Sequence, residues 1–248
     1  MLRSLVLLLA LSGPALAQPS PETQRAAARQ ALAALQAGRF TEAQVAAQQA
    51  DPLLQKMVTW QRLTQRGGAS TAAEIVGFIE SAPDWPQQEA LQRRAEELLL
   101  SDPDDALALR FFTPRPARTL DGAIRHVRAL LNANRRAEAQ AAARRAWASD
   151  TAGDPVDEPE FIALAGQLLT PEEHWRRFDR LSFARDFAGA GRVLPFLAAD
   201  RRPLAELRLA YAADGASADP NPALAARDAG ATLERARMFR RRDRDSEA

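Results

Sequence analysis

Read for its apolar positions, the chain falls into short stretches with Ala and Leu recurring at helical spacing, each closed by a turn signal. The pattern predicts helices over 22–37 and 41–50, broken at Gly38, whose missing side chain suits the left-handed turn after a helix. Asp51-Pro52 opens a helix running to about 65, and Gly67-Gly68 closes it. Thr71 and Glu74 have capping-box spacing and start the next helix. Helices over 86–100 and 104–112 follow, parted by Asp102-Pro103, and Thr113-Pro114-Arg115-Pro116 breaks the chain. The second half predicts helices at 120–132 and 135–149, a loop holding Gly153, Pro155 and Pro159, and a helix at 160–169. Thr170-Pro171-Glu172-Glu173 is a helix start, with a threonine cap and proline at the first helical position, leading 174–183. Helices at 187–199 and 203–212, a polar loop over 214–221 and a last helix from Leu224 complete the reading. No stretch alternates as a strand does, and Val and Ile together number eleven in 248 residues, so the fold class is all-α.

An internal repeat narrows the architecture. Laying residues 35–50 over 131–146 gives nine identities in sixteen positions, among them Leu35/Leu131, Ala43/Ala139 and Ala50/Ala146. Gly38 falls opposite Asn134, and these two residue types best tolerate a left-handed backbone. The expectation is an α-solenoid, a superhelix of helical hairpins resembling tetratricopeptide arrays but too irregular in spacing to be one. Two alanine-rich hairpins alike by chance is the other reading.

The amino terminus sets the compartment. Arg3, the apolar run at 5–11 and Ala15-Leu16-Ala17 read as a signal peptide over 1–17, cleaved after Ala17, which predicts export to the periplasm. Residues 18–248 would form the helical domain. No segment is long and apolar enough to span a bilayer. With 0 Cys, neither a lipid anchor on cysteine nor disulfides are available. Removing Arg3 leaves 33 − 1 = 32 basic residues against 32 acidic, a balance unlike that of a nucleic-acid binder. Lys56 is the one lysine, so the positive charge is nearly all arginine.

Candidate chemistry is sparse. His126 and His174 are the only histidines, no Gly-x-Ser-x-Gly elbow occurs, and Gly67-Gly68 lacks the Lys-Ser/Thr of a phosphate loop. No catalytic, cofactor-binding or metal-binding residue is therefore assigned. Trp60, Trp85, Trp147 and Trp175 have the ring faces that stack on sugars, but their helical spacing among Leu and Phe favours core packing. Arg93-Arg94, Arg135-Arg136, Arg144-Arg145, Arg176-Arg177, Arg201-Arg202 and the triplet Arg240 to Arg242 would hold an anionic polymer if they shared a face; otherwise they are solvated surface with acidic partners a turn away.

Three segments together resemble the superhelical N-terminal region of soluble lytic murein transglycosylases: Leu168-Leu169-Thr170-Pro171-Glu172-Glu173-His174-Trp175-Arg176-Arg177-Phe178-Asp179-Arg180-Leu181, Asp84-Trp85-Pro86, and Leu233-Glu234-Arg235-Ala236-Arg237-Met238-Phe239-Arg240-Arg241. The resemblance extends from about Asp51 to Arg244. It implies a superhelix of hairpins in the periplasm, bound to peptidoglycan, with a separate lysozyme-like catalytic domain following it. That domain's Glu-Ser and Gly-Leu-Met-Gln are not matched here: Glu80-Ser81 lies inside the repeats, Ser246-Glu247 is in reverse order, and no Gly-Leu-Met-Gln occurs. The chain is thus expected to be a non-catalytic, C-terminally truncated part that positions the enzyme on murein glycan strands, with helix 224–239 short of a packing partner. The alternatives are a free-standing periplasmic scaffold that binds a peptide or cell-wall protein, and an autonomous enzyme.

Overall fold

The computed structural model describes residues 20–65, 69–149, 157–213, 219–244 and 246. The described residues form fourteen α-helices and two short 3-10 turns joined by loops, with no strand among them. None of these helices is long and apolar enough to cross a membrane. The expected signal segment, Gly67-Gly68, Gly153 and Pro155 lie outside the described residues.

The described residues fall into two compact units, one up to Ser70 and one from Thr71 onward. In the first, α1 (Pro21–Gln36), α2 (Phe40–Ala47) and α3 (Pro52–Thr64) pack on one another around Ala31, Ala34, Ala43, Ala47 and Val58. Ser20 and Asp51 cap α1 and α3 by accepting backbone N–H bonds, and a proline fills the first helical position of each.

The second unit holds α4 (Ala72–Ser81), α5 (Gln88–Ser101), α6 (Asp105–Phe112), α7 (Leu120–Asn132), α8 (Arg136–Ala148), α9 (Asp157–Ala165), α10 (Pro171–Phe183), α11 (Phe187–Val193), α12 (Arg202–Ala212), α13 (Pro222–Ala225) and α14 (Ala229–Arg240). Each helix packs against near neighbours in sequence: α4 on α5, α5 and α9 on α7, α7 on α8, α8 on α10, α10 on α11 and α12, and α12 on α14. The core accordingly runs as local clusters. One is built on Ile124, Val127, Trp147 and Phe161, the next on Phe178, Ala190 and Leu197, and the last on Tyr211, Met238 and Phe239.

The turn chemistry repeats as the sequence predicts. Gly38 and Asn134 both have left-handed backbones, at φ 71° and 58°. In each turn the N–H two residues past the cap reaches back five residues, Arg39 to Ala34 and Arg135 to Leu130. The structure adds a third copy with Arg185 at φ 65° and an Asp186 to Leu181 bond. Counting from the left-handed residue, the same positions are buried in all three hairpins: Ala31, Val127 and Phe178; Ala34, Leu130 and Leu181; Ala43, Ala139 and Ala190; Ala50, Ala146 and Leu197. Ala43, Ala139 and Ala190 are wholly buried at one such position in all three hairpins, where a larger side chain would have to displace packed neighbours.

Several boundaries differ from the sequence reading. The predicted helix over 187–199 stops at Val193, because Pro195 has no N–H to continue the ladder, and a 3-10 turn follows. α9 starts at Asp157, since Pro159 is tolerated within a first turn. The last predicted helix divides into α13 and α14, and Asp228 caps the second by accepting from Ala231 at 2.7 Å. Met238 and Phe239 of α14 are buried, and the Arg235 and Arg244 guanidinium groups lie 4.8 and 4.9 Å from the Phe239 ring.

Candidate functional site

The third hairpin departs from the other two on its first helix. Where α1 and α7 carry Ala27 and Ala123, α10 carries His174; where they carry Gln30 and His126, it carries Arg177. α10 is fixed at its start by the Thr170–Glu173 capping box, in which Glu173 Oε2 accepts from the Thr170 N–H at 2.6 Å. Helical spacing then turns His174, Arg177, Phe178 and Leu181 inward together.

Trp147 of α8 lies at the centre of what these residues build. One indole face stacks on Phe161, with centroids 5.5 Å apart and planes 6° from parallel, and Arg177 Cζ lies 4.1 Å from the indole centroid. Its Nε1–H donates to His174 Nδ1 at 3.1 Å, and His174 stacks in turn on Phe196 at 5.4 Å. The accepting nitrogen of His174 is unprotonated, and burial holds the imidazole below its usual range although Glu173 opposes this. Arg177 donates to the Trp147 carbonyl at 3.3 Å and to Glu158 Oε1, while Arg192 Nε donates to Glu158 Oε2 at 2.7 Å. Burial pushes the Glu158 carboxyl up, but hydrogen bonds from Arg192 and Arg177, and their charges, outweigh it and leave the group below the ordinary carboxylate range.

Beside this cluster is a cavity of about 460 Å³ walled by Trp147, Glu158, Pro159, Ile162, Arg192 and Phe196. Its wall is mainly apolar, and its charge comes from the Glu158–Arg192 pair. Its size falls among pockets that hold small molecules, roughly 300–1,000 Å³. A carboxylate held ionised by two arginines cannot supply the proton that glycosidic cleavage needs, so the geometry suits binding rather than acid catalysis.

No family model, curated protein or solved structure matches the chain.

The four tryptophans part company in the structure. Trp147 is 1% exposed with its faces occupied, and Trp175 stacks on Phe178 at 5.4 Å beneath the Arg201 and Arg208 guanidinium groups. Trp85 meets Phe78 edge-on at 6.2 Å, and Trp60 is half-buried on α3. The core-packing reading fits Trp147 and Trp175, whose ring faces are covered by protein. Many arginines of the doublets reach carboxylates: Arg135 to Glu138, Arg144 to Glu173, and both Arg176 and Arg201 to Glu172. His126 is distant in kind from His174. It stacks on Phe112 at 4.9 Å, and burial, reinforced by Arg145 and Arg135, lowers its pKa to about 4. No cluster of three His, Cys, Asp or Glu able to hold a metal occurs among the described residues. Glu80 is an exposed residue on the last turns of α4, 3.3 Å from Arg110.

Sequence reasoning singled out His174, Arg177 and Trp147 but not Glu158, Arg192 or Phe196. Glu158 stands 19 residues from Arg177 and 34 from Arg192, and no motif links them. Pro195 was the available signal, because a proline late in a predicted helix ends it and frees Phe196 to turn onto His174.

Proposed function

We propose that the chain is the non-catalytic helical-repeat part of an exported peptidoglycan lytic transglycosylase, an α-solenoid that holds the enzyme on murein while a separate domain cuts. Three hairpins with the same turn and the same buried positions, and helices packed on sequence neighbours, support the repeat architecture. The observation that carries the functional reading is that the longest segment of the resemblance, 168–181, holds most of α10, the helix that supplies His174 and Arg177 to the aromatic and arginine cluster beside the open cavity. The reading is tested by pelleting the purified chain with isolated sacculi and assaying released muropeptides. Co-sedimentation without turnover is expected; release of anhydro-muropeptides by this chain alone, or no pelleting, would overturn it. A second reading, a free-standing scaffold that binds a peptide, is favoured by the apolar wall of the cavity, which offers few partners to sugar hydroxyls.

A further inference from the structure

The arginines around Glu158 are not used alike. Arg177 is buried, its Nη groups donate to Glu158 and to the Trp147 carbonyl, and its guanidinium lies over the Trp147 ring. Glu158 has an arginine on each oxygen. Arg192 engages Glu158 through Nε, its side chain remains 39% exposed and lines the cavity, and its two Nη groups make no hydrogen bond among the described residues. Two arginines on one carboxylate leave one positive charge in excess there. Asp186 attracts Arg192 more weakly and is occupied in capping α11 through the Gly189 N–H at 2.8 Å. His174 adds no charge, since its Nδ1 accepts from Trp147.

Next to that charge are Pro159, Ile162, Ala163 and Phe196, the last 38% exposed. A ligand for this place carries an anion and short apolar groups side by side. A saccharide fits poorly, because the Trp147 faces are filled by Phe161 and Arg177 and the wall has few donors for hydroxyls. A carboxylate matches the planar pair of free Nη donors.

We infer that this cavity binds a carboxylate flanked by short alkyl groups, in the form of the alanyl C-terminus of a short peptide, with Arg192 Nη1 and Nη2 holding the carboxylate and Ile162, Ala163 and Phe196 receiving the methyl groups. This rests on the murein reading above and assigns its contact to the peptide stems instead of the glycan.

The test is isothermal titration of the purified full chain with N-acetyl-D-alanyl-D-alanine, its C-terminal amide, and butyrate as a free short-chain acid. The peptide acid is expected to bind at least tenfold tighter than the amide and than butyrate. Arg192→Gln should lose at least tenfold, with partial recovery in Arg192→Lys. Ala163→Leu, which fills the mouth without touching an ion pair, should abolish binding with the thermal midpoint unchanged. Equal binding of acid and amide, full binding by Ala163→Leu, or no binding by the unaltered chain would overturn the inference, and tighter binding of butyrate would reassign the source to free acids. Sacculus pelleting is measured in parallel: pelleting without peptide binding sinks this site alone, and peptide binding without pelleting sinks the murein reading alone.

Discussion

Two glycines in first helical turns admit a charged side chain from an earlier helix. A Cβ on Gly122 would sit 2.4 Å from Glu96 Oε2, and one on Gly230 would sit 2.2 Å from Arg208 Cζ. Neither neighbour is free to yield. Glu96 accepts from the Arg118 and Thr119 backbone N–H groups, and Arg208 holds both Asp228 oxygens and Asp179. Gly230→Ala is expected to cost about 1–3 kcal/mol, the usual penalty of overfilling a packed core, and to lower the thermal midpoint followed by circular dichroism. An unchanged midpoint would mean that the Arg208 network rearranges freely. Glu158→Gln removes the counter-charge of a buried arginine, and a loss of about 3–5 kcal/mol in urea unfolding is expected. Little of this layer was legible in the sequence. His174 and Arg177 stood out within one segment, but their partners come from α8, α9 and the α11 region, and only folding brings these together.

At the scale of elements, the hairpins were read where a special residue announced them. Gly38 and Asn134 mark left-handed turns by their identity, whereas Arg185 adopts the same conformation with a side chain that disfavours it, which hid the kinship of the third hairpin with the other two. Arg185→Gly should therefore stabilise the protein by about 1 kcal/mol, and Gly38→Ala should destabilise it by a similar amount, since an added Cβ at Gly38 meets nothing and only the backbone angle is at stake. Urea midpoints at constant slope would read both; a destabilised Arg185→Gly would show that the Arg185 side chain contributes more than its strain. Boundaries failed where proline acts by position. Pro159 sits harmlessly in a first turn while Pro195 ends a helix, and composition does not separate the two cases.

For the molecule as a whole, stability depends on pH in two stages of the same sign. His126, with its pKa lowered to about 4, and His174, also lowered, bind protons in the unfolded chain before the folded one. Their contribution is full above about pH 6.5 and is lost as pH falls toward 4, by on the order of 2 kcal/mol for His126. Glu158, Asp105, Asp219 and Asp228 are lowered too, so their contribution is present above the ordinary carboxylate range and disappears below it. Midpoints measured from pH 8 to pH 3 should decline in both windows. His126→Gln should flatten the upper window in part and leave the lower one intact; an unaltered slope would show that His126 is solvated in the folded state. The all-helical class and the order of helices followed from helical spacing and caps, because those are local, while the pH response depends on which side chains folding buries. The covering of Trp147 by Phe161 and Arg177 has one more outcome. An indole shut away from water emits at short wavelength, so among the four tryptophans the Trp147 component of the emission is an optical gauge of whether α10 is packed on α8.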